Sequence, residues 1–289
     1  MQQIKKLKGQ IQVARKTLYE RIDSLGVNVS LEYEALIKLL KFEESIFQYR
    51  FYTLLEYIDK NYFRELPANF RSPYLSANDM MKDLGLGNTS YTMDNLFLLA
   101  EFCVAILPHE HITQREDLYK QAKTIFTNIS SFLEKLNYEF IEIDGERKII
   151  VEKNHAVTQA VEIVNDNATA IALIEYNHYA LKGYLDEKRK ILTALGSYIE
   201  PILKSRSLQN AGYKQLESDV GFMLNNFHVR HNNKEGAKAQ DYITGLDKKQ
   251  LEEWYDRIYN AILSVIIIND HIPVQNNIAD LKSKYTWRP

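Results

Sequence analysis

Apolar positions Ile4, Leu7, Ile11, Ala14, Leu18 and Ile22 alternate steps of three and four, which predicts one amphipathic helix ending before Gly26. Ser30, followed by acidic Glu32 and Glu34, predicts the next helix start, and Leu36, Leu39, Leu40, Ile46, Phe47, Leu54, Leu55 and Ile58 extend that helix to about Asn61. Pro67 and Ser72-Pro73 mark a loop. Ser76 with Asp79 opens a short helix that stops at Gly85 or Gly87, and a further helix runs from about Thr92 to Leu107 before Pro108. Thr113 and Glu116 have capping-box spacing ahead of Leu118, Ala122, Ile125, Ile129, Phe132 and Leu136. Then the period changes. Tyr138–Ile143 and Arg147–Glu152 are rich in β-formers and flank Asp144-Gly145, which suits a type I′ hairpin turn. Helices are expected afterwards at 155–164, 168–182, 185–204, 210–227 and 247–268, with a short one near 275–285; Asp247 caps the 247–268 segment. The fold class is mainly α, a helical bundle of about ten helices with one β-hairpin near 138–152.

No Gly-, Ser- or Pro-rich linker and no internal repeat divides the 289 residues. The hairpin is therefore the expected joint, with an N-terminal helical region at 1–136, the hairpin at 137–153 and a second helical domain at 154–289. The 36 basic and 38 acidic residues give a net charge of −2, so no global field draws the chain to a polyanion, although a local basic patch stays open. The single cysteine, Cys103, excludes an internal disulfide framework and an all-thiolate zinc site, and suggests a reducing compartment. The N-terminus lacks an apolar signal-peptide core, and the aliphatic run Ala261–Ile268 is far short of the roughly 20 residues a membrane span needs. A soluble cytoplasmic protein with no membrane partner is expected.

Few motifs carry chemistry. Two Glu-x-x-His pairs, Glu152–His155 and Glu175–His178, have half the donor set of a di-iron carboxylate bundle, but Glu152 falls at a strand end and the pairs sit on adjacent elements. His109-Glu110-His111 offers two imidazoles, yet a His-x-His in a polar connection reads as an exposed loop. Cys103 lies in the apolar run Phe102, Val104, Ala105, Ile106 and reads as a packed side chain rather than a reactive thiolate. No phosphate-binding glycine loop, nucleophile elbow or His-Glu-x-x-His motif is present, and no cofactor or metal is expected.

One segment stands apart: Asn225-Asn226-Phe227-His228-Val229-Arg230-His231-Asn232-Asn233-Lys234-Glu235-Gly236. It follows a predicted helix and carries two imidazoles, a guanidinium, four carboxamides and a lysine. Histidine exchanges protons near neutral pH, arginine clamps phosphate through paired charge-assisted bonds, and asparagine orients a substrate oxygen. These groups would suit a metal-independent ribonuclease, in which a base deprotonates the RNA 2′-hydroxyl and a cation steadies the anionic transition state, leaving a 2′,3′-cyclic phosphate. Equally, His228 could pack while Arg230, Asn232 and Asn233 cap the helix and tie the loop down.

The region of roughly 165–270 resembles the HEPN superfamily of compact helical domains, many of them RNases of toxins and abortive-infection systems. The resemblance rests on a helix pair, Ala168 to Tyr184 and Asp186 to Lys204, then the Phe227–Asn233 segment, then Leu251-Glu252-Glu253-Trp254-Tyr255-Asp256-Arg257-Ile258-Tyr259. Active members carry Arg, a polar residue, and a His four to six intervening residues later. Arg230 and His231 fit the first two places, but Glu235, Gly236 and Ala237 stand where the second His belongs. The resemblance thus implies either an endoribonuclease, with Arg230 as phosphate clamp, His231 or His228 as proton-transfer residue and Asn226, Asn232 and Asn233 in support, or an inactive relative that binds RNA, nucleotide or protein. It also implies a homodimer with two loops across one groove, RNA as a partner, and a possible antitoxin or other protein partner. The N-terminal aromatics Phe47, Tyr49, Phe51, Tyr52, Tyr57, Tyr62 and Phe63, interleaved with Arg50 and Arg64, could stack bases but more simply pack helices.

Overall fold

The computed structural model describes residues 26–41, 43–47, 50–87, 91–143 and 147–285. The expected helix over Ile4–Ile22, the Asp144-Gly145 turn and Tyr49 lie outside them. The chain is mainly α-helical and divides into two compact units, Met1–Glu139 and Phe140–Pro289, with the division inside the first strand of the expected hairpin.

The N-terminal unit begins with α1 (Val29–Leu40), whose start is set by the Asn28 side chain accepting the Leu31 N–H. The long helix expected to run from there to Asn61 does not form. Instead β1 (Glu43–Phe47) and β2 (Arg50–Thr53) make an antiparallel ladder, Glu43 opposite Thr53 and Phe47 opposite Arg50, with a register shift between Ser45 and Phe47. The physical reason is a helix start at Thr53. Its hydroxyl accepts the Glu56 N–H while Glu56 accepts the Thr53 N–H, a capping box that opens α2 (Leu54–Asn61) and separates it from α1. There follow a 3-10 turn (Phe63–Glu65), α3 (Ala68–Arg71), α4 (Ala77–Asp83) and α5 (Met93–Ile106). Next come α6 (Glu110–Thr113) and α7 (Glu116–Leu136), which ends at Asn137 in the left-handed conformation. Thr113 does not cap α7. It belongs to α6, and the N-cap position is held by extended Arg115. Buried Leu36, Leu40, Leu96, Ile125 and Phe132 join α1, α5 and α7, and Cys103 is fully enclosed, its thiol pKa raised by burial.

In the C-terminal unit, β3 (Tyr138–Ile143) pairs with β4 (Arg147–Glu152), the hairpin legible from its period-two pattern. Asn154 caps α8 (His155–Ile163) and Asp166 caps α9 (Asn167–Glu175). α9 stops short of 182 because the backbone at Val151 pairs with His178, and Glu152 N–H bonds Asn177 O at 3.0 Å. Beyond it lie α10 (Leu185–Ser205), α11 (Ser207–Asn210), α12 (Lys214–Asn226), α13 (Asp241–Thr244) and α14 (Lys248–Lys284). α14 opens with an Asp247–Gln250 capping box and runs straight through Pro273, merging two segments that the sequence reads as separate helices. Its first five turns carry the core. Leu251, Ile258 and Ile262 are buried against Leu192 and Leu195 of α10 and Leu224 of α12.

One buried cation ties this core together. The Lys188 ammonium on α10 lies 2.9 Å from Glu252 and 2.8 Å from Asp256 on α14, over the Tyr176 ring. Burial alone would raise the Glu252 pKa, but the Gly183 N–H and the Lys188 ammonium outweigh it and lower the value below the ordinary 4.5. Lys188→Ala should lose about 2–3 kcal/mol in urea unfolding, somewhat less than a fully buried pair because Asp256 is half exposed. A lowered folded pKa means this stabilisation is complete above about pH 4.5 and is lost as pH falls through the folded value, so the gap between Lys188→Ala and the parent should shrink on acidification.

Candidate functional site

The polar segment starts where α12 ends. Phe227 anchors it, buried 4.3 Å from the Trp254 ring and 5.6 Å from Tyr242. His228 then takes φ of +59°, a left-handed conformation uncommon for a residue with a side chain. Its N–H donates to Asn233 Oδ1 at 3.2 Å, and the Gln240 N–H donates to the Asn233 carbonyl at 2.8 Å, so Asn233, though polar, is buried as a loop brace. Val229 inserts into the core, and its carbonyl accepts the Thr193 hydroxyl of α10.

Arg230 turns back across this frame. Its N–H donates to Leu224 O at 3.1 Å, its Nη2 to the Gly196 carbonyl of α10 at 3.1 Å, and its Nη1 to Asn225 Oδ1 at 3.4 Å. Gly196 is tightly packed at this point: a Cβ there would lie 3.1 Å from Leu224 Cδ2, so that side chain would have to give, and in ordinary contact, 3.9 Å, with Arg230 Nε. His231 is exposed, and Asn232 closes an Asx turn by accepting the Lys234 N–H and donating to Glu235. Asn226 donates to Phe222 O within its own helix. Of the six residues singled out in the sequence, Asn226 ends α12 and the other five follow in one loop, where the Arg230 guanidinium donates to Gly196 and Asn225 and His231 is exposed.

A residue that the sequence pattern does not single out acts on this loop. Arg189 of α10 acts electrostatically on His228, and burial first, then this guanidinium, holds the His228 pKa below the ordinary 6.5. Among the described residues Arg189 Nε and His228 Nδ1 are buried with no hydrogen-bond partner. The same guanidinium acts on buried Tyr255, whose pKa burial pushes up to about 12. Arg189 sits one place after Lys188 in a charged run that reads as a solvated helix face, which is why spacing alone does not single it out.

The remaining candidates separate as follows. Glu152 ends β4 and His155 begins α8, while Glu175 ends α9 beside Arg147 at 3.9 Å and His178 pairs its backbone with Val151. Among the described residues these pairs form no metal-ligating group of three. Tyr57, Tyr62 and Phe63 are buried packing residues, not a stacking surface. His109 and His111, expected in a solvated loop, instead stack beside Tyr62. Compared with protein-family models, curated proteins and solved structures, the chain matches none. No helix among the described residues is long and apolar enough to cross a membrane.

Two predictions follow from this geometry. Arg230→Ala should cost about 1–2 kcal/mol of stability by freeing the Gly196 carbonyl contact, whereas His231→Ala should stay within about 0.5 kcal/mol, both read by urea unfolding. Because the folded pKa of His228 is depressed, protonation favours the unfolded chain. Stability should be full above about pH 6.5 and fall as pH drops through the folded value, and His228→Gln should flatten that part of the profile.

Proposed function

We propose that this chain is a non-catalytic helical interaction protein whose HEPN-like C-terminal unit carries a degenerate site. The observation that carries this reading is that the Arg230 guanidinium already donates to the Gly196 carbonyl at 3.1 Å and, more weakly, to Asn225 Oδ1 at 3.4 Å, while His231 is exposed. A phosphate clamp needs its bidentate face free, and a proton-transfer residue needs to lie beside it.

The partner surface is the end of α14. Val274, Ile278, Leu281 and Tyr285 are exposed at steps of four, three and four, an apolar stripe on a helical stretch that has left the core. Asp270 lies at one end of the stripe, and Lys282 and Lys284, which outnumber the single Asp280 beside them, at the other. Two copies laid antiparallel bring the acid of one against the bases of the other, so the occupant is a second copy of the chain. Light scattering after size exclusion should give a dimer, and Ile278→Glu with Leu281→Glu should give a monomer of unchanged helicity; a parent chain that is monomeric at micromolar concentration contradicts the dimer.

A second reading is favoured by one observation. Burial, then the Arg189 charge, lowers the His228 pKa and so favours the proton-accepting imidazole, and Arg189 is a cation that acts on it, two groups that a metal-independent endoribonuclease uses. Purified chain at micromolar concentration in EDTA should leave total RNA and tRNA intact. Cleavage that disappears in His228→Ala or Arg189→Ala would replace the binding reading with the ribonuclease.

A further inference from the structure

Three polar side chains of the N-terminal unit converge away from the loop described above. His109 is extended (φ −109°, ψ 149°) and caps α6, its carbonyl accepting the Ile112 and Thr113 N–H groups. His111 lies in the first turn of that helix. The change from extended to helical backbone between them turns the two imidazoles nearly parallel, 5.3 Å apart at 12°. Tyr62 supports both: its ring stacks on His109 at 4.1 Å and 4° and lies 5.7 Å from His111 at 8°. Tyr62 is itself buried, and its hydroxyl donates to the Ile106 carbonyl at 2.8 Å, so the platform under the imidazoles is fixed by the end of α5.

Glu65, last residue of the 3-10 turn that follows Tyr62, reaches the same point. Its Oε2 is 3.6 Å from His109 Nε2 and 3.7 Å from His111 Nε2, and one ligand atom from each of the three residues lies within 4.8 Å of the others. These gaps are too long for hydrogen bonds, which run about 2.7–3.2 Å. They are close to the ligand–ligand edge of about 3.3 Å that follows from tetrahedral zinc bonds of about 2.0–2.1 Å. The side chains are 54% (Glu65), 20% (His109) and 39% (His111) exposed, so an ion can reach them from solvent and keep a water.

We propose that Glu65, His109 and His111 form a three-ligand site for a divalent transition-metal ion of the zinc class. Two imidazoles and one carboxylate suit zinc or cobalt better than magnesium or calcium, which take oxygen donors. Coordination through His109 Nε2 places the ring proton on Nδ1 and releases the contact from the His111 N–H, which at 3.4 Å is the weakest link in the cap. Because an imidazole binds a metal in its ring plane, one of the two nearly parallel rings must turn to aim its Nε2 at the ion, and the partly exposed His111 is the freer of the two. The carboxylate contributes one negative charge, and the fourth position, open to solvent, is the arrangement that lets a zinc ion polarise a water.

The test uses the full chain, stripped with chelator and desalted, then titrated with Zn²⁺ by calorimetry and with Co²⁺ by visible absorption. The expected result is one ion per chain with micromolar affinity and a visible cobalt band of low-symmetry coordination. His111→Ala and Glu65→Ala should each weaken Zn²⁺ binding about tenfold or more and remove the band. Glu65 is exposed and His111 partly so, each on a short turn, so unchanged circular dichroism is the expected fold control, and His231→Ala should bind as the parent does. No saturable binding below millimolar Zn²⁺, or equal affinity in the parent, His111→Ala and Glu65→Ala, would overturn the site.

Discussion

The C-terminal unit depends on how closely α10 and α12 approach at Gly196. A Cβ there would press on the Leu224 side chain at 3.1 Å, and beside that contact the Gly196 carbonyl meets the loop. A helix carbonyl that already serves its own ladder keeps a second lone pair, and Arg230 takes it. From that contact the rest of the loop follows. Around the folded-back Arg230, Val229 enters the core, His228 is left-handed, and Asn233 bridges the corner. The density of polar residues that looks like a reaction centre is in large part the hydrogen-bonding equipment of a chain reversal packed against two helices.

The buried Lys188 extends the same logic to α14. A cation beneath the surface is tolerated because two carboxylates on one face of α14, Glu252 and Asp256, are four residues apart and meet it together. This makes the pairing of α10 with α14 specific in register as well as apolar. α14 then projects beyond the core, and its exposed stripe has no counterpart within the unit's own cluster of buried residues.

Much of this was legible in the sequence, and the failures have identifiable causes. The hairpin at 138–152 and the helices at 93–106, 116–136, 185–205 and 248–268 follow from periodicity, because each buries a continuous face. The helix expected across 43–53 does not form because aromatic and aliphatic residues at helical spacing also fit a short ladder, and the Thr53–Glu56 capping box decides between them. Thr113 shows the reverse: the right spacing with the wrong geometry, since α6 absorbs the threonine. The loop at 225–236 could be found from composition, but not the direction in which Arg230 points, since it meets the Gly196 carbonyl from thirty-four residues away. Arg189 and Glu65 were hidden for the same reason: each meets its histidines only through the tertiary fold.

The central claim is that Arg230 is a structural clasp and not a phosphate ligand. Its most direct test is nitrogen-edited NMR of the arginine side chains in the full chain, before and during addition of RNA. The account predicts Arg230 Nη–H resonances that are resolved, slowly exchanging and unmoved at saturating RNA. A shift that saturates with RNA, together with loss of that protection, would show the guanidinium leaving Gly196 for phosphate and would contradict it.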